Sequence, residues 1–278
     1  MLLLVDLDGT VWRGDAPVPG VPELLVERER QGDVVAYVTN NSTRHRRDYA
    51  ERLARLGAPA EIRRIVTSSR ATAVHLVTHE PWVQRVLAVG APGMLEELAE
   101  VGLAVVGAGD AAAALAAGAA PMAAAGEPHA VVVGLDRAFD YARLNVASAC
   151  IRAGALFVAT NRDPVFPTEH GFEPGAGSIV AAVETAARTA PIAIGKPGPI
   201  LLHIAAEAVG APLDGAVVIG DSLLSDIPAA RAAGVESVLL MTGVTRQEHL
   251  DALEDHERPT IVAADAAELR VALERLAG

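Results

Sequence analysis

The sequence predicts an α/β protein built on parallel sheets, with a second α/β unit inserted into the first. Short aliphatic runs of strand length alternate with amphipathic stretches of helical length. Hydrophobic residues fill 51% of the 278 positions while aromatics fill only 3%, so Ala, Val and Leu do the packing, as suits helices laid on aliphatic strands. The pattern also restarts near residue 80 and returns to its first style near residue 176, which marks an insertion. The expected core is 1–80 with 177–278, and the expected insertion is 81–176.

Leu2–Leu7 is the first expected strand, followed by a helix over Pro22–Arg30 and a strand over Val34–Val38 that runs into TNNSTR. Arg44–Leu56 reads as a charged helix closed by Gly57, and Ile65–Val66 as a short strand. The insertion offers strand Gln84–Val89, helix Pro92–Val101 and strand Leu103–Val106. It continues with strand Ala130–Val133, helix Tyr141–Ala153 and strand Leu156–Ala159. Between them, the Ala-rich tract 107–128 is expected to be a poorly constrained helix and loop at the periphery. The stretch NRDPVFPTEHGFEPGAG (161–177) has no period and reads as a loop, either a hinge with a recognition role or plain surface. Beyond it come helix Ser178–Arg188, the turn GKPGP, helix Ile200–Val209 and strand Ala216–Ile219. GDSLLSDI, a helix to Ala233, strand Ser237–Leu240 and a closing helix near 266–277 complete the chain.

Composition removes several function classes. A formal charge of −12 and no basic stripe argue against a polyanion partner, so nucleic acid is not expected. The N-terminal apolar run meets Asp6 after five residues, too short for a signal peptide, and the Ala-rich stretch 111–125 is broken by Gly118 and Pro121. A soluble cytoplasmic protein without a membrane partner is therefore expected. Cys150 sits among small apolar residues and is expected to be an inert buried thiol. His75 and His79 lie four apart but lack a third metal ligand, and Trp12 and Trp82 are read as packing residues. GAGDAA (107–112) imitates a dinucleotide fingerprint without the acid that should follow, and Pro197 after Lys196 excludes a nucleotide P-loop.

In parallel α/β sheets, ligands bind beyond the carboxyl ends of the strands. Asp6 and Asp8 stand at the end of the first strand, Thr39 and Asn40 at the end of the second. Lys196 lies in GKPGP, and Asp221 and Asp226 follow the strand that ends near Gly220. So many carboxylates at one edge repel unless a cation or bound protons compensate, and hard oxygen ligands select Mg²⁺ or Ca²⁺ over zinc. With such a cation and Lys196 the edge accepts an anion, most naturally a phosphoryl group, to which Thr39 can donate a hydrogen bond. An ionised Asp6 can then attack phosphorus, while Asp8 carries a proton to the leaving oxygen.

DLDGT, VTNNS, GKPGP and GDSLLSDI, in that order, resemble the four motifs of the haloacid dehalogenase superfamily. The insertion between the second and third motifs is similar to its class with a type-two cap, the NagD-like and p-nitrophenyl-phosphatase-like enzymes. Also matching are RGDAPVPGVPELL after the first motif, and VVVGLDRAFDYARL and ALFVATNRD in the insertion. The resemblance implies a Rossmann-like, doubly wound core with an inserted α/β cap. It implies Asp6 as a nucleophile forming an aspartyl-phosphate and Asp8 as general acid, then base. It implies Mg²⁺ held by Asp6, the Asp8 carbonyl and Asp221 with Asp226 in support, and phosphate held by Thr39, Asn40 and Lys196. Ser225 departs from the more usual Thr but keeps the hydroxyl.

Small phosphate esters are the expected substrates: sugar, glycerol or glycolate phosphates, and p-nitrophenyl phosphate. By their place in the loop, Asn161, Asp163, His170 and Phe172 are the expected specificity contacts of the cap, and a homodimer is implied by resemblance alone. Three other functions compete. A phosphotransferase or mutase would pass the same phosphate to an alcohol, a phospho-acceptor module would keep it, and a nucleotide-dependent oxidoreductase would use none of it.

Overall fold

The computed structural model describes residues 1–168 and 171–278, and the side chains of Pro167, Thr168 and Phe172 lie outside the description. The chain opens with β1 (Leu2–Val5), the two-residue strands β2 (Trp12–Arg13) and β3 (Ala16–Pro17), α1 (Val21–Arg30) and β4 (Val34–Thr39). Next come α2 (Arg46–Arg55), β5 (Ile65–Thr67), α3 (Ser68–His79), β6 (Arg85–Val89), α4 (Pro92–Glu100) and β7 (Ala104–Gly107). The middle holds α5 (Ala108–Ala116), α6 (Pro121–Ala124), β8 (Ala130–Val133), α7 (Tyr141–Arg152), β9 (Leu156–Ala159), β10 (Val165–Thr168) and β11 (Gly171–Pro174). The last part holds α8 (Ala176–Ala187), β12 (Ile192–Ala193), α9 (Ile200–Val209), β13 (Val217–Gly220) and α10 (Asp226–Ala233). It closes with β14 (Glu236–Leu240), α11 (Gln247–Asp251), β15 (Ile261–Ala263) and α12 (Ala266–Ala277).

Two compact units result. The first comprises Met1–Thr39, Arg46–Val66 and Lys196–Gly278, and the second Asn40–His45 with Thr67–Gly195. Segment 81–176 lies wholly in the second. No helix among the described residues is long and apolar enough to cross a membrane.

The six-stranded sheet runs β15-β14-β13-β1-β4-β5. β1 lies parallel between β13 and β4, with Leu3 opposite Val217 on one side and Val35 on the other. All four residues of β1 are buried, as expected for a central strand covered on both faces. From β1 the chain moves outward to β4 in one direction, while β13, β14 and β15 build the other side. The strand order therefore switches between β1 and β13, the point at which open α/β sheets bind ligands beyond the carboxyl ends of their strands.

Local chemistry sets the helix ends. Pro22 opens the first turn of α1, Glu23 faces its positive end and Arg28 and Arg30 its negative end. The Asp265 carboxylate caps α12 by accepting from the Ala267 and Glu268 N–H groups.

The second unit has its own five-stranded parallel sheet, β12-β9-β8-β6-β7, with a core of Val131, Val133, Val146, Ile151 and Phe157. Two sequence expectations change here. The Ala-rich tract is not loosely peripheral: it forms α5 and α6, and Ala108, Ala111 and Ala125 are buried in that core. Small side chains let these helices approach α7, so the biased composition that suggested a poorly constrained periphery reflects close packing. The aperiodic stretch after Ala159 contains an antiparallel hairpin, with Val165 opposite Pro174 and Phe166 opposite Glu173. Its prolines disguise the strands, which is tolerated because a two-stranded ribbon leaves N–H groups unpaired at its edges.

Cys150 is buried, and burial pushes its thiol up to about 11, matching the inert role expected of it. Trp12 is fully buried as expected, whereas Trp82 is half exposed and donates its indole N–H to Glu80. Ala111→Asp places a charge in the second unit's core and is expected to lower stability by about 3 kcal/mol or more in urea unfolding. Ala113→Asp, on the exposed side of the same helix, is expected to cost under about 0.5 kcal/mol.

Candidate active site

The crevice of the first unit is organised by Lys196, the residue immediately after the second unit's last, Gly195. Its ammonium is 2% exposed and donates to Asp6 Oδ1 at 2.5 Å, to Asp226 Oδ1 at 2.6 Å and to the Val38 carbonyl at 3.2 Å. Asp6 follows the end of β1, and its N–H donates to the Ile219 carbonyl at 2.8 Å, which fixes it beside β13. Asp226 is the first residue of α10, and its Oδ2 accepts the Ser222 N–H at 3.1 Å. Thr39 ends β4 and is buried.

Asp6, Asp221 and Asp226 are all buried and bring carboxylate oxygens within 4.8 Å of one another. Three carboxylates around one ammonium leave two surplus negative charges when all are ionised. The consequences appear in their proton affinities. Burial raises Asp6 well above the usual carboxylate range, with Lys196 opposing and Asp226 and Asp221 adding to the rise. Burial and then the charge of Asp226 push Asp221 up to about 7, although the Val244 N–H works against them. Burial disfavours the charge on Lys196, but Asp226 and Asp6 together outweigh it and hold the ammonium protonated. A divalent cation would remove the surplus, and an all-oxygen donor set suits Mg²⁺ or Ca²⁺. The residues fit such an ion.

Asp8 is not part of this cluster. It is exposed, and its Oδ1 accepts the Trp12 indole N–H at 2.8 Å. Trp12 is itself held by a stacked Tyr49 and by the Arg52 guanidinium over its ring at 4.2 Å. Gly9, between the two, has φ +87°, and a Cβ there would collide with the Asp221 carboxylate.

The strand-end reading missed the segment after β14. There the Val244 N–H donates to Asp221 Oδ2 at 2.7 Å and the Thr245 hydroxyl to the Asp221 carbonyl at 2.6 Å. The Thr242 hydroxyl donates to the Gly9 carbonyl at 2.6 Å. The signal was present, since MTGVT follows the aliphatic run VLL, but no acid stands at the carboxyl end of β14 to draw attention to it.

Asn40 belongs to the second unit. Its Nδ2 donates to Asp163 Oδ2 at 3.0 Å, and its carbonyl accepts from Asn161 Nδ2 at 2.7 Å. The Asp163 N–H in turn donates to Asn161 Oδ1 at 3.0 Å. Asn161 and Asp163 are thus brought together with Asn40. Phe172 lies on β11, and His170 falls outside the described residues.

Comparison with known proteins decides the family. Residues 3–104 match the profile described as haloacid dehalogenase-like hydrolase, and residues 193–269 one described as HAD-hydrolase-like. The 5'-nucleotidase YutF of Bacillus subtilis is 32% identical, covering 92% of both chains. The chain belongs to the haloacid dehalogenase-like hydrolases. Within this family, the D-glycerol 3-phosphate phosphatase of Mycobacterium tuberculosis is 38% identical over 96% of this chain and 70% of its own. A solved structure of the glycerol phosphate phosphatase of that organism, in complex with magnesium, superposes with TM-score 0.80 at 37% identity, covering 97% of this chain and 76% of that one. The p-nitrophenyl phosphatase of Archaeoglobus fulgidus superposes with TM-score 0.85 at 29% identity, covering 98% of each chain. The family is one of hydrolases, and these members are named as phosphatases.

The raised acids make a pH-dependent prediction. Between about pH 4 and pH 7 the cation-free folded cluster keeps protons that the unfolded chain releases. The folded state then binds more protons than the unfolded, so this cluster's contribution to stability falls as pH rises through that window. Asp6 and Asp221 would exchange those protons for Mg²⁺ when the ion is supplied. Mg²⁺ is therefore expected to raise the melting temperature more at pH 8 than at pH 5.5, and an equal gain at both would contradict the assignment.

Proposed function

We propose that this chain is a Mg²⁺-dependent phosphatase of small phosphorylated metabolites, with Asp6 as the residue that takes the phosphoryl group. The observation that carries this reading is the buried Lys196–Asp6–Asp226–Asp221 cluster, whose surplus negative charge calls for a cation at the end of β1. The phosphatases to which the chain is similar, one of them solved with magnesium, support it further.

Asp6 attacks phosphorus as the bond to the leaving oxygen breaks, giving an aspartyl-phosphate. Asp8 donates its proton to the leaving oxygen, then accepts one from the water that attacks phosphorus, releasing phosphate and restoring Asp6. The bond from Trp12 to one Asp8 oxygen fixes the carboxyl and leaves the other oxygen to carry the proton. The Lys196 ammonium offsets charge on the phosphoryl oxygens, and Thr39 and Asn40 donate hydrogen bonds to them. Mg²⁺ would be held by Asp6, the Asp8 carbonyl and Asp221, with Asp226 in support, and would supply positive charge against those same oxygens.

Segment 81–176 serves as the type-two cap that selects the leaving group, through Asp163, Asn161, His170 and Phe172. Small polyol or sugar phosphates are the proposed substrates, because the described cap loop is polar and broken by proline.

Asp6→Asn is expected to lower p-nitrophenyl phosphate hydrolysis by about a thousandfold or more. In ¹⁸O-labelled water the wild-type enzyme is expected to release labelled phosphate, whereas transfer to an added alcohol without label in phosphate would make it a phosphotransferase. Trp12→Phe keeps the ring but removes the donor to Asp8. It is expected to lower kcat by roughly three- to thirtyfold with a smaller change in KM, measured by steady-state kinetics.

A further inference from the structure

Segment Asn40–His45 leaves β4 directly after Thr39, and it is bonded to the rest of the second unit at Asn40, Ser42 and His45. The Asn40 carbonyl accepts from Ser68 Oγ as well as from Asn161, each at 2.7 Å. The Ser42 carbonyl accepts from Ser69 Oγ at 3.0 Å, and the Ser42 hydroxyl accepts the Leu135 N–H at 3.2 Å. The segment ends at His45, whose side chain has no part in the chemistry above.

His45 is buried, and its Nε2 lies 2.9 Å from Glu100 Oε1 and 3.6 Å from Glu97 Oε1. The Glu97 carboxylate is itself fully buried, with Arg70 NH1 at 3.8 Å from its other oxygen. Gly93, Glu97 and Glu100 recur at intervals of four and three residues, so they share one face of α4. A Cβ on Gly93 would lie 2.5 Å from both the Arg44 carbonyl carbon and the His45 nitrogen, so glycine alone admits the main chain there. The helix therefore offers a seat with two parts: bare backbone for residues 44 and 45, and acids for the imidazole. A buried carboxylate is costly unless cations or donors meet it, and His45 and Arg70 are placed to do so. His45, Glu97 and Glu100 also gather closely enough to suggest a metal site, but the guanidinium beside Glu97 already brings a cation to that carboxylate, and the hydrogen bond between His45 and Glu100 closes the lock.

We propose that His45 is a positioning residue: its lock on Glu97 and Glu100 fixes the far end of segment 40–45 and thereby sets where Asn40 presents its amide to phosphate. The proposal rests on the reading of Asn40 as a phosphate-binding residue. His45 acts through the main chain of residues 41–44, so loosening its end shifts Asn40 without removing a group from the reaction.

The test measures the inhibition constant of inorganic phosphate, with kcat and KM for p-nitrophenyl phosphate, in the Mg²⁺-loaded enzyme. Variants His45→Ala, His45→Gln, Glu97→Gln and Asn40→Ala are compared, with melting curves for each. His45→Ala is expected to weaken phosphate binding and raise KM by roughly three- to tenfold, with kcat within about twofold. His45→Gln, which keeps a donor near Glu100, is expected to recover most of that loss. His45→Ala combined with Glu97→Gln is expected to be little worse than either alone, because both break one lock. Should His45→Ala fail to fold, Glu97→Gln and His45→Gln carry the same comparison. Weakened phosphate binding in Asn40→Ala alongside wild-type values in His45→Ala would overturn the lock while leaving the phosphate site standing. Loss of kcat and KM together without rescue by Gln would reduce His45 to a structural role and also overturn it. Wild-type phosphate binding in Asn40→Ala would overturn the phosphate-site reading, and this proposal with it.

Discussion

The burial of one ammonium constrains the rest of the first unit. Lys196 is as inaccessible as the surrounding aliphatic residues, yet it carries a charge that must be met. Asp6 and Asp226 meet it, one beyond the end of β1 and one at the start of α10, with the Val38 carbonyl of β4 as a third partner. Removing one member of such a group leaves an uncompensated buried charge, at a cost of about 3–5 kcal/mol. Strands β1 and β4, helix α10 and the turn at 195–199 are thereby held to one register at the crevice. The same arrangement overshoots electrically, because Asp221 adds a third carboxylate. A fold stabilised by apolar packing alone has no reason to assemble that excess; a fold that recruits a divalent cation does.

Much of this was legible in the sequence because it follows from local pattern. β8, β9 and α9 match their expected bounds residue for residue, since each is an unbroken apolar run or amphipathic stretch with Gly or Pro at or within two residues of an end. Strand-end logic also gathered Asp6, Lys196, Asp221 and Asp226, which the structure brings together. What escaped was structure that hides its polarity. α3 buries Ser68, Ser69 and Thr72, whose hydroxyls donate to the carbonyls of Asn40, Ser42 and Ser68. Its core face therefore reads as polar and shows no period. The pairing of Asp8 with Trp12 escaped for another reason: a buried indole is first counted as bulk, and its N–H is forgotten.

The family members similar to this chain are named for different substrates, among them nucleotides and glycerol phosphate, on closely similar scaffolds. This is the expected division of labour in an α/β enzyme. In the proposed reading the strand ends address the phosphoryl group, which every substrate shares, and discrimination among leaving groups falls to residues elsewhere in the chain. Here the bonds joining Asn40 to Asn161 and Asp163 place a strand-end residue and two loop residues of the inserted unit in one hydrogen-bonded group.

The segment that follows β14 has a consequence for how this protein can vary. Asp221 is held there by the main-chain N–H of Val244, whose own side chain is nearly half exposed. Position 244 can therefore drift through almost any residue type except proline, which lacks the donor. Its neighbours enjoy no such liberty, since Thr242 and Thr245 work through their hydroxyls and could exchange only for serine. Across a set of homologues this stretch would show a freely changing residue framed by two hydroxyl-bearing ones. In such an alignment the most variable position of the segment would be the one whose main chain holds the Asp221 carboxylate.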